Sequence, residues 1–114
     1  DVSNTVENFF DDLREHDAAD NVTLFMFTEF GRRISDNGSG TDHGASGVAF
    51  AIGDHVKGGI YGDYPSLEPS QHEEGGNLKS STDFRQVYTS ILEDWLKLEA
   101  SPIIGGKFDP VKFL

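Results

Sequence analysis

Val22-Thr23-Leu24-Phe25-Met26-Phe27 is an almost unbroken apolar, β-prone run, and Val48-Ala49-Phe50-Ala51-Ile52 is a second. A strand that is apolar at every position, rather than at alternate ones, is expected to be covered on both faces, as in a parallel sheet. Between the two runs lies Asn37-Gly38-Ser39-Gly40-Thr41-Asp42-His43-Gly44-Ala45-Ser46-Gly47, with four glycines and no large apolar side chain. The expectation is a polar loop joining two core strands, which is where α/β proteins tend to place their chemistry.

Outward from this centre, Val6, Phe9, Phe10 and Leu13 fall on one helical stripe. Asn4 with Glu7 three residues on supplies an N-cap pair, and the helix is expected to fade between His16 and Asp20. Lys57 to Tyr64 reads as a small hairpin or extended edge. Residues 65–82 read as a surface loop in which His72-Glu73-Glu74 is solvated. The clearest helix runs from about Asp83 to Leu96, with Phe84, Val87, Tyr88, Ile91, Leu92, Trp95 and Leu96 on a broad apolar face and Ser81 or Thr82 as its cap. The apolar tail, from Phe108 through Phe113 and Leu114, is expected to dock on the body of the domain. The order α, β, glycine-rich loop, β, edge strands, α suits an α/β sheet in one domain. Two core strands are thin for an independent fold, which suggests a fragment of a larger domain or a chain that borrows a partner's surface.

The chain has 114 residues, with 20 acidic side chains against 9 Lys and Arg, for a formal net charge of -11. That balance argues against nucleic acid or an anionic membrane as partner. It fits a solvated acidic surface, or a site where cations offset carboxylates. With no cysteine, a disulfide framework and a thiolate metal site are both excluded. No run approaches the roughly 18 apolar residues of a membrane span, and no export signal is visible. Exposed strand edges make homo-oligomerisation a further expectation.

His43 leads the candidates for chemistry. An imidazole beside a carboxylate, Asp42, in a glycine-lined loop suits a metal ligand or a general base; the plainer alternative is an ordinary turn in which Asp42 accepts backbone hydrogen bonds. Glu29, beyond the first strand, can bind a cation or take a proton. Arg32 or Arg33 can hold a phosphate or sulfate through the planar guanidinium, or form salt bridges across the sheet edge. Thr28 reads as a strand-end cap. Gly38-Ser39-Gly40-Thr41 lacks the Gly-Lys-Ser/Thr ending of a P-loop and the spacing of the Rossmann fingerprint, and no Gly-x-Ser-x-Gly elbow occurs.

Thr28-Glu29-Phe30-Gly31-Arg32-Arg33, Asn37-Gly38-Ser39-Gly40-Thr41-Asp42-His43-Gly44, Val56-Lys57-Gly58-Gly59-Ile60-Tyr61-Gly62 and Thr82-Asp83-Phe84-Arg85 together resemble the carboxyl-terminal part of a bacterial family known as domain of unknown function 1501. Leu92-Glu93-Asp94-Trp95-Leu96 and Gly105-Gly106-Lys107-Phe108 agree. That family is similar to the alkaline phosphatase and sulfatase superfamily. The resemblance implies the carboxyl-terminal piece, residues 1–114, of an alkaline-phosphatase-like α/β domain with mostly parallel core strands flanked by helices. It implies an exported protein, periplasmic or on the cell surface. It also implies a metal-dependent phosphate- or sulfate-ester hydrolase acting on a small anionic ester, inactive as this piece alone. A divalent cation (zinc, manganese, magnesium or calcium) would be held by His43, Glu29 and Asp42, and substrate by Arg32, Thr28 and Thr41. The nucleophile would lie outside this chain. Phe30 stands where the superfamily has a metal-binding histidine. The alternative is therefore a non-catalytic relative with a binding or cell-surface assembly role.

Overall fold

The computed structural model describes all of residues 1–114. Helix α1 (Val2–Glu15) starts earlier than expected: the Asp1 carboxylate accepts from the Asn4 N–H at 3.0 Å, so Asp1, not Asn4, is the cap. A short turn at Ala19–Asn21 leads into β1 (Leu24–Met26), the middle of the first apolar run.

Strand β1 pairs with β4 (Phe50–Ile52), the heart of the second run, with Leu24 opposite Ile52 and Met26 opposite Phe50. The pairing is antiparallel. The other two strands, β2 (Gly31–Asp36) and β3 (Thr41–Gly44), form a second antiparallel ribbon. The expected alkaline-phosphatase-like, mostly parallel core is thus corrected: the fold is mixed α/β, with two antiparallel two-stranded sheets. The reason lies in what covers β1. Met26, Phe50 and Ile52 face Val2, Val6 and Phe10 of α1. Phe25, pointing the other way as strand alternation requires, meets Tyr88 of α2 edge-on at 6.3 Å. A helix on each face makes the run apolar throughout, whatever the direction of the neighbouring strand.

The glycine-rich stretch is also not one loop. Asn37 to Gly40 turns the chain, with Asn37 N–H donating to the Gly40 carbonyl at 2.8 Å and Gly38 at φ 94°. The chain then enters β3. Lys57 to Tyr64 forms no strand. It is pinned to the tail instead: Lys57 N–H donates to the Phe113 carbonyl at 2.8 Å, and the Tyr61 ring meets Phe113 at 6.1 Å. The apolar tail docks as expected.

Helix α2 (Phe84–Ser90) continues into a π-helical turn, Ile91–Trp95, so the expected helix is present with a change of pitch. Its cap is Asp83 rather than Ser81 or Thr82; the Asp83 carboxylate accepts from Arg85 N–H at 2.9 Å and the Gln86 side chain reaches back to Asp83 N–H. A last short helix, α3 (Ser101–Ile104), ends at Gly105 with φ 77°.

Full burial is scarce. Phe10, Ala19, Ala100 and Phe113 are the buried apolar residues, joined by Thr89 and Ser90. The Ser90 hydroxyl donates to the Val111 carbonyl at 2.6 Å, tying α2 to the tail. The α-carbons span 49 × 37 × 21 Å with a radius of gyration of 16.8 Å, against about 13 Å for a compact domain of this length. No helix is long and apolar enough to cross a membrane.

Candidate functional site

The β2–β3 ribbon carries the residues singled out from sequence. Gly31 lies opposite Gly44, and Arg32 opposite His43. Both glycines are required by crowding. A β-carbon on Gly31 would enter the Ser46 carbonyl, and one on Gly44 would come within 2.7 Å of the Arg32 carbonyl carbon. Only bare backbone lets the ribbon close here, and that closeness sets Arg32 and His43 side by side.

Strand alternation puts Thr41 and His43 on one face of β3, with Asp42 on the other. The Arg32 guanidinium donates to the Thr41 carbonyl at 2.8 Å and lies 5.2 Å from the centre of the Phe30 ring. On Phe30 the His43 imidazole stacks almost parallel, at 3.6 Å and 16°. Arg32, Phe30 and His43 therefore form one cluster, with Arg32 and His43 exposed and Phe30 half-buried between them. Arg32 uses one donor on the Thr41 carbonyl, which leaves its other N–H groups without a protein acceptor.

The remaining candidates lie apart from it. Asp42 accepts from the Asn37 side-chain amide at 2.8 Å, across the ribbon from His43. Glu29 is exposed in the bend between β1 and β2. The Thr28 hydroxyl donates to the Phe30 carbonyl, shaping that bend. His43, Glu29 and Asp42 are not gathered, and no group of three or more His, Asp or Glu side chains is arranged to hold a metal ion. The donors of these 114 residues do not fit a complete divalent-metal site.

Arg33 packs its guanidinium against Gly75, where a β-carbon would lie 3.2 Å from Nη2. Asn77 accepts from Ala45 N–H at 3.1 Å, and Ser46 donates to the Leu78 carbonyl at 2.6 Å. These contacts fasten residues 73–78 to the ribbon. The surface loop expected over residues 65–82 is thus tied to the ribbon in this part, and nothing local in the sequence marks Asn77 as a tether.

The shortest ion pairs lie elsewhere. Arg14 bonds Asp54 at 2.6 Å, joining α1 to the end of β4 and holding the Asp54 carboxyl below its ordinary range. Arg85 hydrogen-bonds the Asp83 carboxylate and, with the Arg85 backbone N–H, lowers its pKa to about 2.

Residues 1–98 match the family described as Protein of unknown function (DUF1501). The chain belongs to DUF1501. No curated protein and no solved structure matches it. The match takes in the Arg32–Phe30–His43 cluster, both ribbons and α2 of this DUF1501 chain.

Proposed function

We propose that this chain is the oxyanion-contacting piece of a phosphate- or sulfate-ester hydrolase, the rest of whose site is carried by polypeptide outside these 114 residues. One observation carries the reading: Arg32 and His43 stand directly opposite each other in the β2–β3 register, presenting cationic and imidazole donors together. A tetrahedral oxyanion accepts from such a pair through separate oxygens. Divalent-metal ligands beyond His43, and the nucleophile, come from outside this chain on this reading. Export to the periplasm or cell surface goes with it.

The test is the full-length protein against a panel of phosphate and sulfate esters, with zinc, manganese, magnesium or calcium added in turn. Loss of one charge-assisted hydrogen bond, worth about 1.5–3 kcal/mol, should cost Arg32→Ala about ten- to a hundredfold in kcat/KM. Unchanged turnover in both Arg32→Ala and His43→Ala would sink the proposal.

A second reading has its own observation. Phe30 covers one face of the His43 imidazole, as suits a relative that keeps the fold and binds without catalysis. On that reading no ester is turned over with any metal, while the full-length protein forms a stable complex that Phe30→Ala weakens.

A further inference from the structure

The tip of the β2–β3 ribbon holds Asn37-Gly38, and Asn37 is the one asparagine of the chain followed by glycine; Asn4, Asn8, Asn21 and Asn77 precede Thr, Phe, Val and Leu. Asn37, Gly38 and Ser39 are all exposed. Gly38 stands at φ 94°, a conformation for which the turn needs glycine. The same glycine leaves the amide nitrogen that follows Asn37 without a side chain to shield it. Asn37 Oδ1 accepts from the Ser39 N–H at 3.0 Å and from the Ser39 hydroxyl at 3.2 Å. Those two bonds fold the Asn37 side chain along the turn and polarise its carbonyl, so that Cγ is the electron-poor end. The Gly38 N–H donates to the Asp36 carboxylate at 2.7 Å, which places an acceptor within reach of that proton.

We propose that Asn37 is a self-modification site, which deamidates through a succinimide formed with Gly38 and thereby loosens the tip of the ribbon. The Gly38 nitrogen gives up its proton and bonds to Asn37 Cγ. The Cγ–Nδ2 bond breaks, and Nδ2 leaves with that proton as ammonia. Water then opens the ring at either carbonyl and leaves an aspartyl or an isoaspartyl residue at position 37. The consequence follows from what Asn37 holds. Its Nδ2 donates to Asp42 Oδ1 at 2.8 Å, joining the end of β2 to β3. A carboxylate in its place cannot donate, and it sets like charge beside Asp42. The isoaspartyl form also routes the main chain through the β-carbon, which lengthens a turn closed by the Asn37 N–H on the Gly40 carbonyl. Either product weakens the hairpin whose register sets Arg32 opposite His43. The modification goes beyond the hydrolase reading and requires neither metal nor ester turnover.

The experiment ages the full-length protein in mildly alkaline buffer and follows the tryptic peptide Ile34–Lys57, whose only asparagine is Asn37. Mass spectrometry with the aspartyl and isoaspartyl forms separated should show progressive loss of the asparaginyl peptide and both products. The peptides carrying Asn4, Asn8, Asn21 and Asn77 should stay intact over the same time. Asn37→Gln, which must close a larger and less favourable ring, should stop the conversion. In the aged protein, hydrogen–deuterium exchange across β2 and β3 should be faster by about tenfold or more, the equivalent of one lost charge-assisted hydrogen bond, with Phe50–Ile52 unchanged. An Asn37 peptide that stays intact, or converts no faster than the other four, would overturn the proposal. So would an aspartyl product alone, since direct hydrolysis of the side chain gives no isoaspartyl form. Unchanged exchange in the ribbon after full conversion would overturn the loosening. Ester hydrolysis enters none of these readouts, so this proposal and the hydrolase reading fail independently.

Discussion

Alanine placed at three glycines should give three different outcomes, and the first decides whether the β2–β3 ribbon closes as described. At Gly31 the new methyl would overlap the Ser46 backbone carbonyl, and Gly47 N would lie 3.1 Å away. Neither obstacle is a side chain that can swing aside, so β2 must move off residues 46–47. Overpacking of a tight site costs about 1–3 kcal/mol, and a backbone obstacle puts Gly31→Ala at the upper end, about 3 kcal/mol. Gly47→Ala meets nothing nearer than Thr28 Oγ1 at 3.5 Å, an ordinary contact. Its effect should lie near zero, or stabilise by about 0.4–1 kcal/mol through the unfolded chain. Gly38 has open space around it but φ of 94°, so Gly38→Ala should cost about 1–2 kcal/mol through backbone strain alone. The assay is urea unfolding followed by Trp95 fluorescence. With a slope of about 1–3 kcal/mol/M, Gly31→Ala should move the midpoint down by about 1 M or more. Equal midpoints for Gly31→Ala and Gly47→Ala would refute the close approach of β2 to Ser46, and with it the placement of Arg32 beside His43.

Phe113→Ala removes one of the two large buried apolar side chains and should cost about 3–5 kcal/mol in the same urea assay; a loss below about 1 kcal/mol would mean that the tail is not docked. Arg85 holds the Asp83 carboxyl at about 2 against an ordinary 3.8, so its contribution to stability is full above pH 4 and is lost as pH falls toward 2. Asp83→Asn should flatten that part of the acid limb, and an unchanged acid limb would contradict the ion pair. Phe30→Ala should shift the His43 ring protons downfield in NMR as ring-current shielding is lost, with about 0.5–1.5 kcal/mol of stacking removed; unmoved signals would exclude the stack.

Helices α1 and α2 were legible because their apolar stripes are set by local spacing, and each cap was misplaced by a residue or more. Asp1 and Asp83 outcompeted Asn4, Ser81 and Thr82 through hydrogen bonds that only the folded backbone displays. The positions of β1 and β4 were legible too, but their direction was not. Apolar character reports what lies above and below a strand; direction is decided by the strand beside it. Strands β2 and β3 went unseen because Gly31-Arg32-Arg33-Ile34-Ser35-Asp36 is polar and mostly exposed, and β3 begins within a glycine-rich stretch. Asn37-Gly38 was the hairpin signal available. In the candidate site, His43 and Arg32 were foreseen individually. Their pairing depends on a register fixed by crowding at Gly31 and Gly44, which no spacing rule conveys.

The thinness of the molecule bears on its chemistry. The α-carbons span only 21 Å in their shortest direction, and just six of the 114 residues are buried. The two carboxylates held below their ordinary range, Asp54 and Asp83, owe it to arginine hydrogen bonds, with desolvation pulling the other way. An acid or base tuned to work near neutrality usually needs a dry wall. Any surface laid over the exposed Arg32 and His43 would change the dielectric around both side chains.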